Sequence, residues 1–155
     1  MNKINKLVGD FIGLWRVCGT FVALKWIFHV LANIEEVLRR GDLQAADRDM
    51  GTGPFTIRLK KYGAKFRIAG VQAISGVREM YVRDVYLKNG WLSINDVDTV
   101  LDLGANMGNF TNMALAMGSN VRVIAVEPNK SSNSVFKQSV ALNAGFENRV
   151  QLIEA

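Results

Sequence analysis

The sequence predicts an α/β chain built on a parallel sheet, and three observations predict it. Val100-Leu101-Asp102-Leu103 is a largely apolar run that reads as a strand and ends at Gly104. Gly104-Ala105-Asn106-Met107-Gly108 is a turn whose glycines permit backbone angles or close approaches that a Cβ would forbid, and a helical stretch follows it from Asn109 to Met117. Val123-Ile124-Ala125-Val126 then reads as a second strand and ends in Glu127, about 20 residues after the turn. Strand, glycine turn, helix, strand and acid, in that order, make half of a Rossmann-like nucleotide-cofactor site.

From the front, residues 4 to 40 read as helical, with Ile4, Leu7, Val8, Phe11, Leu14, Trp15, Cys18, Phe21 and Val22 recurring at spacings of three and four. A break is expected near Gly19. Glu35 to Arg39 and Glu36 to Arg40 are i,i+4 pairs in the favourable order, and Gly41 is the stop signal. Arg16 and Lys25 interrupt the apolar run from Leu14 to Leu31, and each central charge costs about 2.5–3.5 kcal/mol on insertion scales, so a membrane span is not expected. Two readings of this extension remain: a helix packed on the rest of the protein, or an interfacial helix whose Lys3, Lys6, Arg16 and Lys25 sit beside Trp15, Trp26 and Phe28 on an anionic surface. The segment lacks the apolar core and small-residue cleavage site of a signal peptide.

Residues 42–54 are polar and end in turn-formers, which reads as a linker. Phe55, Ile57 and Leu59 then alternate with Thr56, Arg58 and Lys60, and Phe66 and Ile68 alternate with Lys65 and Arg67, around Tyr62-Gly63-Ala64. This predicts a β-hairpin with one buried face. Its other face carries Arg58, Lys60, Lys65 and Arg67, and the chain has no acid between Asp49 and Glu79. Residues 71 to 88 read as a helix, with Val71, Ile74, Val77, Tyr81, Val82 and Val85 apolar and Asn89-Gly90 ending it. Parallel-sheet strands are expected at Thr99 to Gly104, Val121 to Glu127 and Arg149 to Glu154, and helices at Asn109 to Met117 and Lys130 to Ala144. The expected organisation is therefore a helical extension over 1–41, a linker over 42–54, a hairpin and helix over 55–98, and an α/β unit over 99–155. Three strands are fewer than a doubly wound sheet needs. The fold is accordingly expected to be incomplete at its C-terminal end, with one wall of the pocket coming from further chain or another chain.

The 155 residues are 49% hydrophobic and 21% charged, which excludes a disordered chain and allows one core of ordinary size. Residues 1 to 98 hold 15 basic and 10 acidic side chains, and residues 99 to 155 hold 4 of each, so the net charge of +5 lies in the front of the chain. A basic face there is a solvated strand face or a site for an anionic substrate or lipid head group. Nucleic acid is the weakest partner, because no aromatic residues interleave with the charges. The single Cys18 and single His29 exclude an internal disulfide and a histidine–cysteine metal site, and a free thiol suits a reducing, cytoplasmic compartment.

The glycine spacing decides which cofactor the turn suits. A dinucleotide fingerprint wants glycine at its first, third and sixth places, and those places hold Gly104, Asn106 and Asn109. Side chains stand where a pyrophosphate would need room, so a cofactor without phosphates fits better. S-adenosylmethionine is such a cofactor, and Glu127 could accept from both hydroxyls of its ribose. Asp102 also has a plain alternative as a turn cap, and Asn106 as a tolerated left-handed residue.

The words Leu-Asp-Leu-Gly-Ala-Asn-Met-Gly-Asn-Phe and Val-Glu-Pro-Asn, the pair Leu142-Asn143 and the ending Val-Gln-Leu-Ile-Glu-Ala together resemble the FkbM family of S-adenosylmethionine-dependent O-methyltransferases. The resemblance covers roughly residues 55 to 155. It implies a Rossmann-like class I methyltransferase fold, with Asp102, Gly104, Ala105, Asn106 and Gly108 along the methionine end of the cofactor and Glu127 on the ribose. It also implies that the segment Arg78-Glu79-Met80-Tyr81 to Tyr86 approaches the cofactor through Glu79. Sugar, polyketide or glycolipid hydroxyls are the implied acceptors. No histidine stands in the matched part, so no catalytic base is named. The alternatives are a nicotinamide-dependent oxidoreductase and a non-catalytic membrane- or partner-binding chain that uses residues 1–40.

Overall fold

The computed structural model describes residues 3–70, 73–90 and 92–155. Four helices open the chain: α1 (Lys3–Cys18), α2 (Thr20–Ala32), α3 (Ile34–Arg40) and α4 (Gln44–Asp49). The expected break falls at Gly19, whose φ of +97° closes a sharp turn between α1 and α2. A second break at Asn33 has no glycine or proline signal and separates α2 from α3. The segment 42–54, read from sequence as a linker, instead contains α4, with Ala45, Ala46 and Asp47 buried. Polarity misled there, because Asp47 is taken up by two distant side chains: its carboxylate accepts from Trp26 Nε1 at 3.0 Å and from the Arg78 guanidinium. The same Arg78 donates to Asp10 of α1 at 2.7 Å, so one buried cation ties α1 and α4 to the middle of the chain.

The hairpin forms as expected from β1 (Phe55–Leu59) and β2 (Ala64–Ile68), paired antiparallel. Ile57, Leu59, Ala64, Phe66 and Ile68 turn into the core. The outer edge of β2 would present bare N–H groups at alternate residues. Side chains of the α/β unit take them: Lys65 N–H donates to Asn143 Oδ1 at 2.8 Å, Arg67 N–H to Ser139 Oγ at 3.0 Å and Ala69 N–H to Met107 Sδ at 3.2 Å. Asn143 Nδ2 also donates to the Lys65 carbonyl at 2.7 Å, so this amide pairs with β2 as a neighbouring strand's peptide group would.

The helix expected over 71 to 88 is shorter and changes type. α5 (Ala73–Val77) runs into a π-helical turn at Arg78–Val82, and the chain then leaves the helix; Val71 lies outside the described residues. The widened turn sends Arg78 and Tyr81 inward and leaves Glu79 outside. α1 crosses this turn closely at Gly13, where an added Cβ would lie 2.1 Å from Val82 Cγ1.

The parallel sheet has the order β3-β4-β5, from β3 (Thr99–Leu103), β4 (Arg122–Val126) and β5 (Val150–Ile153). The crossovers are α6 (Asn109–Met117) and α7 (Lys130–Ala141), the latter ending three residues before its expected limit. On the face carrying Asp102, Val123 and Ala125 the sheet is buried. On the other face Leu101 and Leu103 of β3 stand 60% and 71% exposed, and β3 is a free edge of this sheet.

Candidate cofactor-binding site

The site is built where β3 and β4 end side by side. Gly104 and Ala105 follow β3, and both their N–H groups donate to the Val126 carbonyl at the end of β4, at 2.9 and 3.0 Å. Gly104 takes φ +76° with nothing within 4 Å of where a Cβ would be, so the outer side of the turn is open. Asn106 takes φ +50°, the left-handed region asparagine tolerates, and its N–H donates to Glu127 Oε2 at 2.8 Å. Glu127 Oε1 accepts from Asn129 N–H at 2.8 Å. One buried carboxylate therefore holds the turns after β3 and β4 together. Each of its oxygens can accept a second hydrogen bond, which leaves capacity for a pair of ligand hydroxyls.

Two sequence-predicted residues serve the scaffold. Asp102 is buried under α6, where Oδ2 accepts from Thr111 Oγ1 at 2.6 Å and ties the first turn of α6 to β3. Burial pushes its carboxyl above the ordinary range and the nearby Glu127 charge adds to this, while the Thr111 bonds pull the other way. Gly108, at φ +79°, is the residue before α6, and a Cβ there would meet Phe136 ring carbons at 2.5 and 2.8 Å. Its smallness is required by α7, which packs through Phe136.

Glu79 and Asn106 border the same cleft. It measures about 660 Å³, is also lined by Asn109, Gly76, Ser131 and Ser132, and lies between the π-helical turn and the start of α7. Ser132 Oγ donates to Asn106 Oδ1 at 3.1 Å and fixes that side chain. Asn129 caps α7, its Oδ1 accepting from Ser131 N–H at 2.9 Å and Ser132 N–H at 3.3 Å. Asn109 Oδ1 is buried and has no partner among the described residues. Ser131 and Ser132 are not singled out from sequence, though the Asn-x-Ser-Ser cap at 129–132 is the available signal, and Asn109 enters the cofactor reading only as the sixth place of the dinucleotide spacing. Asn143 binds β2, and its Nδ2 also donates to the Ser139 carbonyl near the end of α7 at 3.2 Å.

The donor set separates cofactor types. The N–H groups of Gly104, Ala105, Asn106 and Gly108 are all spent on protein acceptors, the last on the Ala105 carbonyl at 2.8 Å. A pyrophosphate would find few of these donors free and a carboxylate already seated beside the turn. A cofactor with a ribose and no phosphates fits these residues better. No group of histidine, cysteine and carboxylate side chains among the described residues could hold a metal ion. Burial pushes the Cys18 thiol up to about 12, which makes it inert.

No protein-family model matches the chain, and neither does any curated protein. Among solved structures, the chain is similar to an O-methyltransferase region, StiE O-MT residues 942–1257, at 18% identity and a TM-score of 0.43. The likeness covers 54% of this chain and 28% of that one.

Proposed function

We propose that this chain carries the cofactor-binding part of an S-adenosylmethionine-dependent methyltransferase of the Rossmann-like class I type. The observation that carries the reading is Glu127, a buried carboxylate at the end of β4 that bridges the two loops of the site and keeps acceptor capacity for a ribose diol. The open side of the turn at Gly104 would take the methionine end, and Asn106 and Glu79 would border the cofactor from the cleft. Bound there, the cofactor would supply a methyl group activated by its sulfonium, for transfer in line to a substrate oxygen whose proton leaves to a base or to solvent. Residues of this chain contribute binding and orientation. The acceptor follows from the resemblance to FkbM: a sugar, polyketide or glycolipid hydroxyl.

Calorimetric titration with S-adenosylhomocysteine tests this. The expected result is binding that Gly104→Val abolishes and Glu127→Gln weakens about tenfold or more, since one charge-assisted acceptor contributes roughly 1.5–3 kcal/mol. Unchanged affinity in both variants would sink the proposal. Binding of a reduced nicotinamide cofactor with none of S-adenosylhomocysteine would replace it with the oxidoreductase reading.

A further inference from the structure

α2 is apolar on both sides. Ala23, Trp26 and Val30 are fully buried on one side, while Phe21, Leu24, Phe28 and Leu31 fall within about 80° of one another on the opposite side and are exposed, Phe21 at 80% and Phe28 at 65%. The stripe continues through Ile34 and Leu38 of α3. On α1 the exposed Val8, Ile12 and Trp15 likewise lie opposite the buried Asp10, Leu14 and Val17. Helices apolar all round are ordinarily enclosed, and an exposed patch of this extent marks an interaction surface.

The charges around the patch identify what it meets. Between residues 1 and 34 the one acid is Asp10, and it is buried against Arg78 and Arg83. Among the described residues of that stretch the exposed ionic groups are Lys6, Arg16 and Lys25, the last with its ammonium on the Met50 carbonyl at 3.0 Å. The hairpin turn adds a cation at the α1–α2 junction: Lys60 N–H donates to the Val17 carbonyl at 3.1 Å, and Lys60 Cε stands 3.8 Å from where a Cβ on Gly19 would be. Lys61 follows it, with its ammonium 4.9 Å from the Tyr62 ring. Trp15 and Phe21 flank Gly19 and are exposed, with Arg16 next to Trp15 in the chain and Lys60 against Gly19. Trp15 keeps its indole N–H bonded to Thr20 Oγ1 at 3.1 Å. An aromatic side chain with a polar handle, an apolar stripe and exposed cations are what the boundary of an anionic bilayer accepts. No described helix is long and apolar enough to cross a membrane.

We infer that the α1–α2 helical hairpin docks flat on an anionic phospholipid surface, with Phe21, Leu24, Phe28 and Leu31 entering the acyl boundary and Arg16, Lys60 and Lys61 meeting head groups. This does not depend on the methyltransferase reading.

Co-sedimentation of the full chain with vesicles of phosphatidylcholine, with and without phosphatidylglycerol, tests it. Binding is expected to require phosphatidylglycerol, to weaken as salt rises, and to fall about tenfold or more in Phe21→Ser/Phe28→Ser and several-fold in Lys60→Gln/Lys61→Gln. Both pairs are solvent-exposed, so circular dichroism of the variants should match the parent. Three results overturn the inference: no binding to anionic vesicles, binding that the phenylalanine pair does not affect, or a lipid-free dimer that the same pair dissolves, which would make a second copy the occupant.

Discussion

Arg78 donates to Asp10 at 2.7 Å across 68 positions of sequence, and its other terminal nitrogen meets Asp47. Trp26 lies on the same cation, with the guanidinium carbon 5.4 Å from its ring centroid. All of these side chains are buried, so the network sets the packing of α1, α2 and α4 against the π-helical turn.

Removing the shared cation leaves Asp47 with only Trp26 and strips Asp10 of one of its two guanidinium partners. Arg78→Met is expected to cost about 3–5 kcal/mol, read from urea unfolding. Adding Asp10→Asn and Asp47→Asn should recover part of that loss. A cost below about 1 kcal/mol would show that the network contributes little.

Burial alone would raise the Asp10 carboxyl, yet the bonds and charges of Arg83 and Arg78 outweigh it and hold the group below its ordinary range. The unfolded chain, with an ordinary Asp near 3.9, therefore takes up the proton before the folded one does. The contribution of Asp10 is complete above about pH 4 and is lost as pH falls through the lower folded value. Urea midpoints measured downward from pH 5 should drop, and Asp10→Asn should flatten the drop; equal slopes would refute this.

At Gly108 a methyl group would collide with the Phe136 ring and would hold a side chain at φ +79°. Gly108→Ala is expected to cost about 2–4 kcal/mol, combining overpacking with left-handed strain. Phe136→Leu in the same chain should relieve the steric part. Thermal melts of the two variants check this; no additional relief from the second change would assign the whole cost to the backbone.

What the sequence made legible was local. The β3–turn–α6–β4 succession follows from two glycines and two apolar runs, and the hairpin from strict alternation over Ile57 to Ile68, so both stand within a residue or so of their expected limits. α4 was hidden because its buried Asp47 is made acceptable by Trp26 and Arg78, partners 21 and 31 residues away. The outward course of Phe21 was hidden for the opposite reason: α2 is apolar on two faces, and periodicity does not say which faces in; the interfacial-helix reading puts Phe28 outward but also Trp26, which is fully buried. Within the site, the glycine turn and Glu127 were visible as residue types. The partners of Asp102 and Gly108, Thr111 and Phe136, were not, since α6 and α7 bring them against the turn.

The Asn143 side chain that pairs with Lys65 joins the end of α7 to a hairpin 78 positions earlier, and Ser139 and Met107 extend the seam. A two-stranded ribbon is marginal by itself. Stitched in this way, its melting is linked to that of the sheet behind it, and strand exchange at β2 would first have to break four side-chain bonds. Damage at β2 is therefore expected to reach the glycine turn through Met107 as lost rigidity.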